Sequence, residues 1–312
     1  MDKIPIIIDC DPGHDDALML MLAFGSGRFD VKAVSTSAGN QTQDKTLGNA
    51  LKLLTLIGQR VPVFRGAEKP LHRELIIADY VHGETGLDGP ELPVPTFEQE
   101  STPAAEGIAH ILEASSEPIT IVPTGPLTNI ALLLSTYPHL KHKIKRISLM
   151  GGGIFRGNMT PLAEFNIYAD PEAAAIVFES GVPITMCGLD VTHKALVYAE
   201  DIARFRAIGN QTGTVAAGLL DFFSKFYREN RTELHGGAAL HDPCAIAWLM
   251  DPEMFQSKSC YVRVETQGAY TTGATVVDFY RVLAQKPNVE VVYDLNRERY
   301  IDLLATSIAA LP

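Results

Sequence analysis

The 312-residue chain predicts an α/β protein with an open, mostly parallel (mixed) central sheet flanked by helices. Three observations predict it. Short, nearly continuous Ile and Val runs alternate with amphipathic stretches, which marks strands buried on both faces. Polar clusters follow the strands, as in open sheets that bind ligands outside their carboxyl ends. No Pro/Gly/Ser linker and no internal repeat interrupts the chain, so residues 1–312 read as one domain with insertions.

In order, Ile4 to Asp9 reads as a strand and Asp16 to Phe24 as a helix. Val31 to Ser37 is a strand and Gln43 to Ile57 a helix. Lys69 to Thr102, rich in Gly, Pro and Glu, reads as a long active-site loop. Strands follow at Ile119 to Pro123, Arg146 to Met150 and Pro183 to Cys187, with helices at Pro103 to Ser115, Leu127 to Ser135 and Pro171 to Glu179. Gly213 to Asn230 and Asp242 to Leu249 read as helices, and Arg297 to Ala310 closes the chain as another. Cys260 to Thr266, Thr275 to Phe279 and Val289 to Tyr293 read as strands near the sheet edge.

Composition narrows the function. A formal net charge of −11 without a basic block offers no footprint for nucleic acid or an anionic membrane. Four scattered cysteines form no C-x-x-C pair, which sets aside zinc-ribbon and thioredoxin chemistry. They suit buried, reduced thiols in the cytoplasm. Ile6 to Ile8 runs straight into aspartates, so no signal peptide is expected, and no apolar run approaches the ~20 residues of a membrane span.

The chemistry begins at Asp9, Asp11, Asp15 and Asp16, four aspartates within eight residues after the first strand. Like charges this close repel, and a hard cation bound by carboxylate oxygens is the simplest compensation. One aspartate would serve to cap the following helix, and Asp15 suits that role, but capping does not need four. No thiolate or imidazole pair stands at ligand spacing, which favours calcium or magnesium over zinc. The EF-hand pattern is absent, so the remaining ligands lie far off in sequence, with Asp242 and a carbonyl of the Pro123-Thr124-Gly125 turn as candidates.

His241-Asp242-Pro243 opens a helix, which Asp242 is placed to cap. His241 beside it is suited to donate a proton near neutral pH. Gly157-Asn158 and Glu164-Phe165-Asn166, with Asn40, supply the donors and acceptors that a sugar requires, although Asn and Gly also serve turns. Gly151-Gly152-Gly153 does not satisfy G-x-G-x-x-G, and neither a P-loop nor a G-x-S-x-G elbow occurs. Asp-x-Asp after a first strand also suits a magnesium-dependent phosphatase of the haloacid dehalogenase type, but no later lysine and acidic pair completes a phosphate site.

Asp9-Cys10-Asp11-Pro12-Gly13-His14-Asp15-Asp16-Ala17 resembles the signature of the nucleoside hydrolases. Gly39 to Thr42, Val81 to Glu84, Val122 to Gly125, Met150 to Gly153, Ala163 to Asn166 and His241 to Cys244 match in the same order, from first strand to last helix. Within the family, the chain is similar to the bacterial pyrimidine-specific branch, type A.

The resemblance implies the Rossmann-like nucleoside hydrolase fold and an enzyme that splits ribonucleosides, cytidine and uridine preferred, into ribose and base. It implies one calcium ion per subunit, held by Asp11, Asp16, Asp242 and the Thr124 carbonyl. Asp11 would also take the proton of the attacking water, and Asp9 would support the loop. Asp15, Asn40, Asn158, Glu164 and Asn166 would hold the ribose hydroxyls. His82 and His241 would lie on the base side, His241 as the proton donor. Some of Phe223, Phe226, Tyr227, Arg231 and His235 should face the base, with Tyr227 and His235 assigned as contacts. Their helical spacing is equally that of a core stripe. The resemblance also implies a homotetramer and a role in pyrimidine salvage. The competing readings are a calcium-dependent nucleoside or ribose binding protein without turnover and the magnesium phosphatase.

Overall fold

Ile6, Ile7 and Ile8 are each fully buried because the first strand has a helical layer on both faces. The computed structural model describes residues 3–312. Strands β1 (Ile4–Cys10), β2 (Phe29–Thr36), β3 (Val63–Arg65), β4 (Ile119–Pro123), β5 (Ile144–Met150) and β6 (Ile184–Cys187) come first. Later come β7 (Leu196–Val197), β8 (Ala238–Ala239), β9 (Phe255–Cys260), β10 (Val262–Val264), β11 (Thr275–Val277) and β12 (Val289–Leu295). The helices begin with α1 (His14–Gly25), α2 (Gln43–Leu56), α3 (Asp79–His82), α4 (Ala104–Ala114), α5 (Thr128–Thr136) and α6 (Phe165–Ala169). They continue with α7 (Pro171–Phe178), α8 (Leu189–Thr192), α9 (Ala199–Ala207), α10 (Gln211–Asn230), α11 (Pro243–Met250) and α12 (Arg297–Ala309).

Eight strands form one sheet in the order β3-β2-β1-β4-β5-β6-β12-β9. All neighbours pair parallel except β12 with β9, so the sheet is mixed and mostly parallel. Side chains alternate across it with the period of a strand. Ile6, Ile8 and Cys10 enter the layer shared with α1, α10, α11 and α12, whereas Ile7 enters the layer shared with α4, α5 and α7. The chain moves outward from β1 through β2 to β3, then returns to place β4 on the other side of β1. That reversal leaves a crevice beyond the carboxyl ends of β1 and β4, where open sheets bind ligands.

The expected α/β architecture is present, and most expected elements agree to within two residues. Helix α1 starts at His14 rather than Asp16, which brings both aspartates into its first turn. The end of the chain departs further from expectation. Strand β12 is interior, between β6 and β9, and the edge strand is β9. Its Gln256-Ser257-Lys258-Ser259 centre is polar, as suits an edge, and so carries no apolar run to detect. The segments expected at Cys260 to Thr266 and Thr275 to Phe279 pair with each other, β10 with β11, outside the main sheet. The Lys69 to Thr102 loop is irregular apart from α3. Among the described residues, no helix is long and apolar enough to cross a membrane.

Helix α1 carries the first aspartates, and its far end is fixed by close backbone approach to α12. A Cβ at Gly25 would overlap the Ser307 carbonyl oxygen. Gly25→Ala must therefore part the two helices, and overpacking of this kind costs about 1–3 kcal/mol. We expect the urea midpoint to fall without a change in slope; an unchanged midpoint would show that the contact yields freely.

Candidate active site

The floor of the crevice is a set of buried carboxylates. Asp9 lies one residue before the end of β1, and its Oδ1 accepts from Ser35 Oγ at 2.5 Å and Asn129 Nδ2 at 2.8 Å. Burial nevertheless pushes its carboxyl up to about 6. Asp11 accepts the Asn40 N–H at 2.7 Å on one oxygen, while its Oδ1 is buried without a partner. Burial raises its pKa, and the Asp16 carboxylate raises it further. Gly39 and Gly125 enclose this side chain, and a Cβ on Gly125 would stand 2.7 Å from Oδ1.

Asp16 rather than Asp15 satisfies the start of α1. Its Oδ2 accepts from the Gly13 N–H at 2.9 Å and from Asn40 Nδ2 at 3.1 Å, and its Oδ1 accepts from Thr124 Oγ1 at 2.9 Å. Asp15 faces Asp242 and the His241 backbone instead, and burial pushes its carboxyl up to about 7. Asp242 does not cap α11: its side chain makes no cap bond, and its backbone is helical ahead of Pro243, a conformation proline disfavours. Burial drives its pKa up, with Asp15 and Asp16 adding to the effect. Ligand oxygens of Asp15, Asp16 and Asp242 lie within 4.8 Å of one another, a set that admits a metal ion. Asp11 falls outside that tight group.

Above this floor opens a cavity of ≈ 640 Å³, mouth included. Glu164, Asn158, Asn166 and Asn40 are among its lining residues. Glu164 caps α6 and accepts N–H bonds from Asn166, Ile167 and Gly152. Even so, burial raises its pKa to about 7. Asn158 Oδ1 accepts from the Phe165 N–H at 2.9 Å, and Asn166 Nδ2 donates to the Thr124 carbonyl at 2.7 Å. These side chains are fixed before a ligand arrives, and pre-positioned groups bind polyhydroxylated ligands at low ordering cost.

Rings line it as well. His241 Nε2 is 2.7 Å from the Tyr227 hydroxyl and its Nδ1 is 2.8 Å from Thr192 Oγ1, so both nitrogens are engaged. Burial pulls the His241 pKa well down, with His193 and Arg231 adding to the effect. Phe223 packs on Tyr227 with ring centroids 4.9 Å apart. Both are buried in the core and also line the cavity, so the α10 stripe serves as core and wall at once. His82, on α3, also lines the cavity.

Thirteen of the residues singled out from sequence line the cavity: Asp15, Asn40, His82, Thr124, Asn158, Glu164, Asn166, Phe223, Phe226, Tyr227, Arg231, His241 and Asp242. Asp11 and Asp16 lie buried below it. His235 is the exception, because it is exposed, adopts a left-handed φ of 51° and lies off the cavity wall. A tight turn after α10 carries it outward. His193 and Tyr80 line the cavity without having been anticipated. The signal for His193 was its place just beyond the carboxyl end of a strand, Ile184–Cys187.

Glu164 gives a pH test of this burial. Its folded pKa is raised above the ordinary 4.5, so its contribution to stability is full below that value and is lost as pH rises through about 7. Glu164→Gln removes the dependence. Between about pH 4 and pH 8, the metal-free wild type should lose about 3 kcal/mol relative to the variant. Urea unfolding across that range measures the difference, and parallel curves would refute it.

Comparison with known proteins identifies the family. The family model described as inosine-uridine preferring nucleoside hydrolase matches residues 6–302. The pyrimidine-specific ribonucleoside hydrolase RihA of Photobacterium profundum is 58% identical over 306 residues, 98% of each chain. That of Escherichia coli (strain K12) is 57% identical over 303 residues, 97% of each. Among solved structures, a purine-preferring ribonucleoside hydrolase from Gardnerella vaginalis superposes with TM-score 0.92 at 31% identity, covering 98% of each chain. A plant nucleoside hydrolase, PpNRh1, does so with TM-score 0.91 at 32% identity, covering 99% of each. On sequence and fold together, the chain belongs to the inosine-uridine preferring nucleoside hydrolase family.

Proposed function

We propose that this chain hydrolyses the N-glycosidic bond of pyrimidine ribonucleosides, cytidine and uridine foremost, to ribose and free base. One observation carries the reading. A cavity lined by amides, a carboxylate and aromatic and imidazole rings stands over a buried cluster of carboxylates. A ribonucleoside calls for both kinds of group, with hydroxyls on its sugar, a flat base and the scissile bond between them. The pyrimidine preference is that named for the relatives from Photobacterium and Escherichia.

The donor set fits a hard cation. It is all oxygen, and Asp11 Oδ1 and Asp9 Oδ2 are buried without partners. Asp11, Asp16, Asp242 and the Thr124 carbonyl would hold one calcium ion, the carbonyl keeping its bond from Asn166 on its other lone pair. When bound, the ion neutralises the cluster and acidifies water near the sugar.

The chain's own groups supply the rest. Asp15, Asn40, Asn158, Glu164 and Asn166 orient the ribose, and the nearby carboxylates favour the positive charge that grows on the sugar as the bond breaks. Asp11 takes the proton of the attacking water. The departing base needs a proton, which His241 supplies together with Tyr227, whose hydroxyl it contacts. The depressed pKa of His241 makes its protonated form rare but a stronger acid. Four buried, free cysteines support a cytoplasmic setting. Phe155, Tyr280, Val282 and Leu283 are exposed, which supports assembly with further copies of the chain, a tetramer being our reading. We assign the enzyme to pyrimidine nucleoside salvage.

Ribose release from cytidine, uridine, inosine and adenosine tests the proposal, and binding without ribose release would overturn it. Asp11→Ala should lower kcat by about 10³-fold. It should also weaken calcium binding measured by calorimetry; near-normal turnover would remove Asp11 as the base. His241→Ala should slow uridine by about 10²–10⁴-fold. It should slow p-nitrophenyl riboside far less, because that leaving group needs little protonation. Equal losses on the two substrates would exclude the acid role.

A further inference from the structure

His14 plays no part in the chemistry above, yet it is fully buried at the first residue of α1 and lies against His82. Its ring lies nearly parallel to those of Phe222 and Phe223, with centroids 5.2 Å and 5.5 Å away, and its plane is 22° from that of His82, with centroids 5.4 Å apart. Its Nε2 is 2.8 Å from the Asp88 carbonyl oxygen, and its Nδ1 is 3.1 Å from His82 Nδ1.

These contacts settle where the protons sit. A carbonyl oxygen only accepts, so His14 Nε2 carries a proton. Two bare Nδ1 atoms would repel at this distance, so one proton lies between them. If His14 supplied it, His14 would be a cation. That charge would lie among phenylalanine rings and at the positive end of the α1 dipole, and both disfavour it. The Asp88 carboxylate is engaged by the Glu84 and Thr85 N–H groups, and His14 meets the Asp88 carbonyl instead. The proton therefore belongs to His82. The His14 backbone N–H is also directed at His82 Nδ1, at 3.3 Å. A proton on Nδ1 leaves it unanswered, as one of the N–H groups without an intrahelical partner at a helix start, whereas a bare Nδ1 would face the bare His14 Nδ1 at the shorter 3.1 Å. With Nδ1 committed, Nε2 is the ring nitrogen left to the cavity that His82 lines.

We infer that His14 is a positioning residue: it holds His82 as the Nδ1–H tautomer, so that His82 turns a bare Nε2 acceptor toward an N–H group of the nucleobase. The inference rests on the proposed hydrolase reading for its substrate, and assigns His82 to base recognition rather than to proton donation. Uracil offers N3–H and cytosine its exocyclic amine to such an acceptor.

Nitrogen NMR of ¹⁵N-histidine-labelled protein, with His82 assigned by a His82→Asn sample, tests the tautomer directly. Protonated Nδ1 and bare Nε2 are expected; a protonated Nε2 on His82 would overturn the inference. Kinetics test the consequence. His14→Phe keeps a flat ring but removes the acceptor for His82. It should raise the KM for uridine about fivefold, the worth of one neutral hydrogen bond. The KM for 3-methyluridine, which lacks N3–H, should hardly move. His14→Gln, whose side-chain oxygen accepts, should restore the uridine value. Equal rises on the two substrates, or no rise on either, would refute the role. If the wild type releases no ribose, the hydrolase reading fails, while the spectrum still decides the tautomer. If His14→Phe does not fold, the wild-type spectrum and His14→Gln remain decisive.

Discussion

Five buried carboxylates at one end of the sheet are the constraint around which the structure is arranged. Asp9, Asp11, Asp15, Asp16 and Asp242 are each nearly or wholly inaccessible. Burial alone raises every one of their pKa values, and mutual repulsion adds to it for Asp11, Asp15 and Asp242. Hydrogen bonds relieve only part of the cost. Asp16 accepts three on its two oxygens, whereas Asp9 accepts two on one oxygen, and Asp9 and Asp11 are each left with an unpartnered oxygen. A fold that keeps such a cluster holds it for a function, because replacing it with apolar side chains would remove the penalty.

The surrounding architecture supports this cluster. The sheet reversal at β1 and β4 opens the crevice, and α1 begins inside it, so its first turn presents Asp15 and Asp16. Helix α11 reaches the same point from a different part of the chain and contributes Asp242 without spending it on a cap. Asn40, from the loop after β2, and Asn129, from the first turn of α5, brace the aspartates. Helix α10 then closes the cavity with Phe223 and Tyr227.

The amides and the imidazoles are prepared differently. Asn158, Glu164 and Asn166 each already make a hydrogen bond that fixes the side chain. Burial keeps His14, His82, His193 and His241 largely neutral. Neutral imidazoles carry direction as well as affinity, because which nitrogen holds the proton depends on the neighbour of the other. Thr192 and Tyr227 engage His241, and His14 engages His82.

Much was legible in the sequence. The nearly continuous apolar runs determine the parallel strands, and the polar residues after β1, β2, β4 and β5 locate the site, because only the ends of such strands are free to meet a ligand. The ordered motifs from Asp9 to Cys244 determine the family. Tertiary structure decided what local pattern does not encode. Strand β12 became interior because β9, too polar to show as a strand, paired along its outer side. Asp16 took the helix-start role that suited Asp15, because α1 begins two residues earlier than its apolar period suggests. His235 turned outward at a left-handed residue, while His193, given no role by its own neighbours, came to the cavity. Sequence spacing fixes which residues share a strand or helix face; only the packed chain fixes which distant faces meet, and so which carboxylate is left without a partner.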